Sequence, residues 1–192
     1  MINVTSTHHA LKEWSVAINA LEQGKTIMLL RKGGIREEGN HFQVSQDQVL
    51  LYPTYEHQKP HLLKDEYVAQ VKAVTPGWHP ETVYIRSWAK ITHILMVSEA
   101  NLLASLMPYH IWNEQFAISR FHWKPRQPLY VLLLRTYLLA SVVEISYLEQ
   151  YGGCRSWIDL VPAISLESMT PVLNEDEYTQ RVNQIHQLLV EP

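Results

Sequence analysis

Three side chains that could carry out acid–base chemistry lie in a short segment between two prolines. Glu56, His57 and Lys59 stand between Pro53 and Pro60, whose rings restrict the local backbone. A carboxylate, an imidazole and an amine so close together could transfer protons or bind an anion. The alternative is a solvated loop that caps the next helical turn. Because the segment directly follows an apolar strand, where functional loops are often placed, its position supports a site.

A basic segment with paired glycines follows a short predicted strand. Arg31 ends that strand and Lys32 follows it, and Gly33-Gly34 lets the backbone turn sharply or approach a ligand. A hairpin turn would also explain both glycines. The segment does not match a phosphate-binding loop of the Walker type, because Ile35-Arg36 follows where that loop needs Lys and then Ser or Thr.

A second glycine pair precedes the single cysteine. Gly152-Gly153 is followed by Cys154 and Arg155, and a neighbouring cation can lower the pKa of a thiol and make it nucleophilic. A thiol nucleophile also needs a base, which the fold would have to bring from His57 or His110. The alternative, a small buried cysteine beneath a turn, is favoured because free cysteines are usually buried.

Carboxylates near these segments raise the hypothesis of a metal-dependent nuclease or hydrolase. Glu37, Glu38 and Glu56 could hold Mg²⁺, and Lys59 could position the attacking water. Mg²⁺ is expected as a cofactor only under this hypothesis. Restriction-type nucleases use Asp or Glu, one intervening residue and Lys, whereas two residues separate Glu56 from Lys59 here. The sequence leaves open whether the protein is an enzyme.

Composition limits the class of protein. The 192 residues are 46% hydrophobic and 18% charged, which suits one domain with a real core. With a net charge of −3, nucleic-acid binding would have to rest on a local basic patch. No apolar run approaches the roughly 20 residues that span a bilayer, and the N-terminus lacks a signal-peptide pattern. Cys154 alone cannot form an internal disulfide, so a reducing cytoplasm is expected. The oligomeric state stays open.

Residue periodicity predicts one α+β domain over residues 1–192. We expect a curved mixed or antiparallel sheet between an N-terminal and a C-terminal helix. Helices are predicted over residues 7–23, 98–106, 114–120 and 174–190, and strands over 26–31, 42–44, 48–52, 67–74, 82–97, 129–139 and 142–145. Asn113 and Asn174 are expected to cap helices, and Arg135 is expected to form a structural ion pair inside its apolar strand.

Several motifs resemble a known family. The segments ALKEWSVAINALEQGKTIMLLRKGGIREEG, LLYPTYEHQKP, MPYHIWNEQF, PLYVLLLRTYLL and YGGCRSWIDL are similar to the bacterial domain-of-unknown-function family 1802, over about residues 8–161. Members of that family occur alongside restriction-endonuclease-like domains. The resemblance therefore implies a link to DNA restriction or processing.

A weaker likeness concerns the fold. The helix, the Gly24-Lys25-Thr26 step into a strand ending at Arg31, and the following β-rich runs resemble domains of the ASCH and PUA type. Those domains are small barrels that bind RNA or modified nucleotides in a cleft beside the barrel. This likeness implies a small PUA-like barrel and a cleft that binds nucleic acid or a nucleotide.

The resulting main hypothesis is a nucleic-acid or nucleotide binding module. Its cleft would combine cations for phosphates with aromatic rings for stacking. The cations would be Lys25, Arg31, Lys32, Arg36, Lys59, Lys124, Arg126 and Arg155; the other contacts would come from Gly33, Gly34, Tyr55, His110, Trp112, Trp123 and Trp157. The Phe121–Pro128 segment could instead be an exposed connector.

A third hypothesis is an accessory protein without chemistry of its own, whose polar motifs are turns, caps and ion pairs. Spatial arrangement distinguishes the hypotheses. A site requires the RKGGI, PTYEHQ, YHIW and GGCRSW segments to meet at one concave surface, whereas a scaffold does not.

Overall fold

The computed structural model describes residues 5–32, 36–38, 41–44 and 46–190. Gly33 and Gly34 lie outside the described residues. So do the side chains of Arg36, Glu37 and Glu38.

A mixed sheet of seven strands forms the centre of the protein. Its strands are β1 (Ser6–Trp14), β2 (Met28–Arg31), β5 (Gln48–Thr54), β6 (Thr82–Val97), β7 (Leu129–Ser146), β8 (Trp157–Ser165) and β9 (Thr170–Pro171), while β3 (Arg36–Glu38) and β4 (His41–Gln43) pair separately. The order is β2-β7-β6-β5-β1-β8, and β9 pairs with β7. β1 and β5 are parallel, and the other described neighbours are antiparallel. Because the described β2 and β8 do not pair, the sheet is open and not the closed barrel that was considered.

Five α-helices are described. They are α1 (Ser15–Glu22), α2 (Asp65–Val68), α3 (Asn101–Leu106), α4 (Glu114–His122) and α5 (Glu175–Val190). The predicted caps are present, since Asn113 accepts a hydrogen bond from the Phe116 amide at 3.1 Å. Asn174 and Glu177 exchange bonds with each other's amides at 2.9 and 3.0 Å. The predicted α+β class with helices at both ends is confirmed, and no described helix is long and apolar enough to cross a membrane.

Two apolar clusters pack on the sheet. The larger one joins α1 and α5 to the middle strands through residues such as Leu21, Leu132 and Ile185. The smaller one lies around the N-terminal half of β6 and the C-terminal end of β7, and it includes Ile85 and Tyr151. Arg135 pairs with Glu175 at 3.2 Å, so it links β7 to α5 as a structural residue.

Three predicted elements were wrong. Residues 7–23 were expected to be one helix, but β1 occupies Ser6–Trp14 and the helix begins at Ser15. These residues form a strand because β1 pairs with both β5 and β8, and these tertiary contacts override the local helical pattern. Residues 67–74 form no strand and instead continue from the short helix α2. The predicted strands 129–139 and 142–145 are one strand, β7.

Candidate functional site

Two strands end side by side at one edge of the sheet. The parallel strands β1 and β5 pair Trp14 with Thr54, so the chain leaves both at the same edge. β8 runs antiparallel to β1 and begins nearby, with Trp157 opposite Leu11. The segment that follows Pro53 and the Gly-Gly-Cys segment are therefore neighbours in space.

A cavity of about 720 Å³ lies at this edge. Ligand pockets typically measure about 300–1,000 Å³, so this cavity is large enough for a nucleotide-sized molecule. Its lining consists of residues 12–14, 31–32, 52–57, 77–80, 120, 123–124, 127, 147 and 151–157. We refer to it below as the cavity.

A buried ion pair lies in the cavity lining. The Arg31 guanidinium is 3.0 Å from the Glu13 carboxylate, and each side chain is only 10% exposed. Arg31 also donates hydrogen bonds to the Lys12 carbonyl at 2.8 Å and the Ser156 hydroxyl at 3.1 Å. The other Glu13 oxygen accepts a bond from the Trp14 amide at 2.8 Å. Arg31 therefore fixes β1, β2 and the segment before β8 relative to one another.

Lys12 holds the Gly-Gly-Cys segment in place. Its amine donates to the carbonyl oxygens of Tyr151 and Gly153, at 2.5 and 2.9 Å. Gly153 has a φ of 71°, which favours glycine. Burial, and then the charge of Arg155, lower the pKa of Lys12. An anion near Lys12 and Arg155 would relieve their mutual repulsion.

A basic group lines one part of the cavity at the end of α4. The Arg120 guanidinium lies 5.3 Å from the ring centres of both Phe116 and Trp123. The Lys124 amine lies 4.5 Å from the Trp123 ring centre. Lys32 donates a hydrogen bond to the Phe121 carbonyl. Aromatic rings and a backbone carbonyl thus orient three cations. None of the three forms an ion pair with a carboxylate among the described residues.

Arg120 retains donor capacity that no described residue uses. Its Nε is buried without a hydrogen-bond partner, and no carboxylate among the described residues forms an ion pair with it. Burial lowers the pKa of Arg120, and the charge of Arg31 adds to this effect while Glu13 opposes it. Burial and the charge of Arg120 lower the pKa of Lys32 in turn. Cations that repel one another in this way form a favourable place for an anion.

An aromatic group lines another part of the cavity. The His79 and Tyr147 rings stack with centres 3.6 Å apart, and Tyr147 meets Tyr151 edge-on at 6.5 Å. Tyr55 and Trp78 meet edge-on at 6.0 Å. Trp78 is 43% exposed, so it presents ring surface to a ligand. These rings provide surface on which a base could stack.

Glu56 and His57 form a small polar bridge at the cavity. The Glu56 carboxylate accepts a hydrogen bond from the Gly77 amide at 2.7 Å, and His57 Nε2 lies 3.6 Å from the same oxygen. His57 has a φ of 66°, which is unusual for a residue with a side chain. Glu56 therefore connects the two loops that carry Tyr55 and Trp78.

Charge is concentrated around the cavity. Its described lining includes six Lys and Arg side chains but two carboxylates, in a chain whose net charge is −3. The cations are Lys12, Arg31, Lys32, Arg120, Lys124 and Arg155, and the carboxylates are Glu13 and Glu56. The cavity is thus locally basic within an acidic protein.

Three of the four predicted segments meet at the cavity. The predicted residues that line it are Arg31, Lys32, Tyr55, Glu56, His57, Trp123, Lys124, Cys154, Arg155 and Trp157. Lys25, Lys59 and Arg126 do not line it. Cys154 is exposed, so the expectation of a buried cysteine was wrong. The turn that ends at Gly153 directs the chain to the surface at this point.

The fourth segment lies in the core. His110 and Trp112 are 3% and 1% exposed and do not line the cavity, so the structure contradicts their expected place in the cleft. The cause is local packing: Trp112 stacks on Phe116 at 4.9 Å and bridges to Leu63. His110 also lies too deep in the core to serve as a base for Cys154.

Sequence reasoning missed several lining residues. They are Lys12, Trp14, Trp78, His79, Arg120 and Tyr147. Lys12 and Trp14 were assigned to a helix, but they belong to the strand β1. The Pro76-Gly77 turn, followed at once by Trp78 and His79, is the signal that could have identified the aromatic group.

The metal-dependent alternative finds no support in the described lining. No three metal-ligating side chains come together there. Glu13 and Glu56 are engaged by Arg31 and the Gly77 amide, respectively. The side chains of Glu37 and Glu38 lie outside the described residues, so the nuclease hypothesis stays a prediction.

Comparison with known proteins identifies the family. The chain matches the model of the family described as "Domain of unknown function (DUF1802)" over residues 10–184, and it therefore belongs to that family. The match extends past the expected end near residue 161 and into α5. No curated protein matches the sequence.

Solved structures of an ASCH protein from Zymomonas mobilis are similar to this chain. A serine-to-alanine mutant of that protein is 14% identical and has a TM-score of 0.44, with 92% of this chain and 94% of the other covered. A tyrosine-to-phenylalanine mutant is 14% identical, with a TM-score of 0.42 and coverages of 91% and 95%. A third structure of the protein is 15% identical, with a TM-score of 0.42 and coverages of 91% and 93%.

Proposed function

We propose that this member of the DUF1802 family binds nucleic acid or a nucleotide in the cavity. One observation carries the proposal: an acidic chain places six Lys and Arg side chains and a set of aromatic rings around one cavity of about 720 Å³. Phosphates need cations, and bases need ring surface. Few other ligands need both in one place.

The basic group would take the phosphate. Arg120 lines the cavity without a carboxylate partner among the described residues, and its flat guanidinium matches the geometry of phosphate oxygens. Lys32 and Lys124 add charge next to it. Arg31 is already committed to Glu13, so its main role is to position the strands and not to bind the ligand.

The aromatic group would take the base. Trp78 is 43% exposed and held edge-on by Tyr55, while the stacked His79–Tyr147 pair forms a second flat surface. Stacking on such rings contributes about 1–3 kcal/mol per base and tolerates different bases. The cavity is therefore suited to an unpaired nucleotide, and the overall acidity of the chain disfavours binding along a duplex.

Fluorescence anisotropy with labelled oligonucleotides tests the proposal. Single- and double-stranded DNA and RNA are titrated at about 100 mM salt, with mononucleotides as competitors. We expect single strands to bind more tightly than duplexes. Arg120→Ala should weaken binding about tenfold or more, because a charge-assisted hydrogen bond contributes about 1.5–3 kcal/mol.

The matched control is Arg126→Ala. Arg126 is exposed, lies six residues from Arg120 in sequence and does not line the cavity, so its loss should leave the affinity nearly unchanged. Equal losses from both substitutions would show non-specific attraction and contradict the proposal, as would the absence of any binding.

The same assay addresses the link to DNA restriction or processing that the family resemblance implies. That link predicts a preference for DNA over RNA. A parallel incubation with Mg²⁺ tests cleavage: product that is lost with Glu56→Ala would support the nuclease hypothesis in place of simple binding.

A further inference from the structure

A second polar cluster lies on the edge strand β8 and its neighbour β1, outside the cavity. His8 and His9 of β1 and Asp159 of β8 place one ligand atom each within 4.8 Å of one another. The nearest atoms are His9 Nδ1 and the Asp159 oxygen Oδ1, 2.7 Å apart. His8 Nε2 lies 3.8 Å from the same oxygen. None of these residues lines the cavity.

An irregularity in the strand pairing brings the two histidines to one carboxylate. Successive residues of a regular strand point to opposite faces of the sheet, so His8 and His9 would normally diverge. Here the register between β1 and β8 shifts between Thr7 and His9. Such bulges re-aim side chains. The two rings lie with centres 4.1 Å apart, and Asp159 is directly opposite His9.

The chemistry of the three groups fits a transition metal. Two imidazole nitrogens and one carboxylate oxygen form a ligand set that Zn²⁺ and Co²⁺ accept, with further positions left for water. Around a tetrahedral Zn²⁺ the ligand atoms lie about 3.3 Å apart, given bonds of about 2.0–2.1 Å. The two observed separations of 2.7 and 3.8 Å lie on either side of this value.

Access and charge also permit binding. The side chains of His8, His9 and Asp159 are 49%, 29% and 67% exposed, so an ion can reach them without unfolding. No Lys or Arg of the described chain forms an ion pair with Asp159; its carboxylate accepts a hydrogen bond from His9 Nδ1 at 2.7 Å, and a metal ion would take the place of that proton. We propose that His8, His9 and Asp159 form a binding site for a divalent transition-metal ion of the Zn²⁺ class.

Titration with Zn²⁺ in competition with a chromophoric chelator tests this site. The protein is purified without a polyhistidine tag and stripped with EDTA. It carries Cys154→Ser, because the exposed thiol would otherwise bind metal at the cavity. We expect one tight equivalent per chain. His8→Ala, His9→Ala and Asp159→Asn should each weaken its binding about tenfold or more.

The matched control is His186→Ala. His186 belongs to a second pair of neighbouring histidines, with His93, and the described residues place no carboxylate with that pair. Its substitution should leave Zn²⁺ affinity unchanged. Binding of Co²⁺ gives an independent readout, because its visible absorption should disappear in Asp159→Asn. Circular dichroism of each variant confirms that it is folded.

Three outcomes would overturn the site: no stoichiometric binding, equal affinity in the Asp159→Asn variant, or an equal loss in the His186→Ala variant. The site is independent of the proposed function. Oligonucleotide binding in EDTA should be the same with and without Asp159→Asn, so failure of one proposal leaves the other intact.

Discussion

The carboxylate of Glu13 lies 3.0 Å from the guanidinium of Arg31, and both side chains are 90% removed from solvent. Glu13 is the last residue but one of β1, and Arg31 is the last residue of β2; three strands lie between β1 and β2 in the sheet order. This buried ion pair thus joins two strands that do not pair with each other, and both of its side chains line the cavity.

Glu13→Gln should destabilise the protein by about 3 kcal/mol, because removal of one partner leaves the other charge buried and unpaired. Urea unfolding measures this change. The second ion pair offers a control. Glu175 is 80% exposed where it pairs with Arg135, and without it Arg135 still donates to the Asn174 carbonyl and lies 4.7 Å from the Tyr178 ring centre, so Glu175→Gln should destabilise the protein less than Glu13→Gln does. Equal effects of the two substitutions would contradict the structural role of Glu13.

Trp78→Ala should weaken oligonucleotide binding by about 1–3 kcal/mol without changing its salt dependence, because stacking releases no counterions. Arg120→Ala should instead reduce the slope of log affinity against log salt by about 0.7, the value for one lost phosphate contact on a single strand. Tyr84, 42% exposed and outside the cavity, is the aromatic control. If Tyr84→Ala weakens binding as much as Trp78→Ala does, the base does not stack in the cavity.

Gly152→Ala should weaken binding by disturbing the aromatic group. A Cβ at this position would lie 2.7 Å from the Tyr147 hydroxyl, which must then move away, and Tyr147 stacks on His79. Tyr147→Phe removes the hydroxyl, so the double variant should recover part of the affinity lost in Gly152→Ala. A double-mutant cycle in the anisotropy assay measures this coupling. Additive losses would show that Gly152 acts through some other contact.

His110 should make the protein sensitive to acid. Burial, aided by the charge of Lys64, lowers the pKa of His110 to about 4 from its ordinary value of 6.5. The unfolded chain therefore takes up this proton first. The stability that neutral His110 contributes is complete above pH 6.5 and is lost as the pH falls towards 4. The loss amounts to about 3 kcal/mol.

His110→Gln should flatten this part of the pH profile. Urea unfolding at about pH 7 and pH 4.5 measures the difference in free energy, and His61→Gln is the control because His61 is exposed. An unchanged profile in His110→Gln would show that other groups cause the acid sensitivity.

Local patterns predicted the α+β class and much of the site, but not the pairing of the strands. Leu11, Trp14, Ile18 and Leu21 recur at helical spacing, yet β1 includes the first two because β5 and β8 hydrogen-bond to its backbone on both sides. β8 escaped prediction because Pro162 interrupts its pattern, which an edge strand tolerates. Both errors arise from tertiary contacts that no short window contains.

The site was predictable where turn chemistry marked it. Glycine pairs and prolines identified the segments around Arg31, Glu56 and Cys154, and these segments line the cavity. Arg120 was predicted only as the last residue of a helix, and its contact with Trp123 was not predicted. The structure places both residues at the cavity. By contrast, His110 and Trp112 were expected to contact a ligand in the cleft. Both are buried in the core, where Trp112 packs against Phe116.

Alkylation of Cys154 tests the central claim most directly. Cys154 is the single cysteine of the chain, is exposed and lines the cavity, so its reaction with a small maleimide reports occupancy of that place. A single-stranded oligonucleotide at a concentration that occupies about nine-tenths of the wild-type protein should slow the reaction about tenfold, and Arg120→Ala should reduce this protection to about twofold or less at the same concentration. A rate that stays the same while anisotropy shows the oligonucleotide bound would place binding elsewhere and contradict the account.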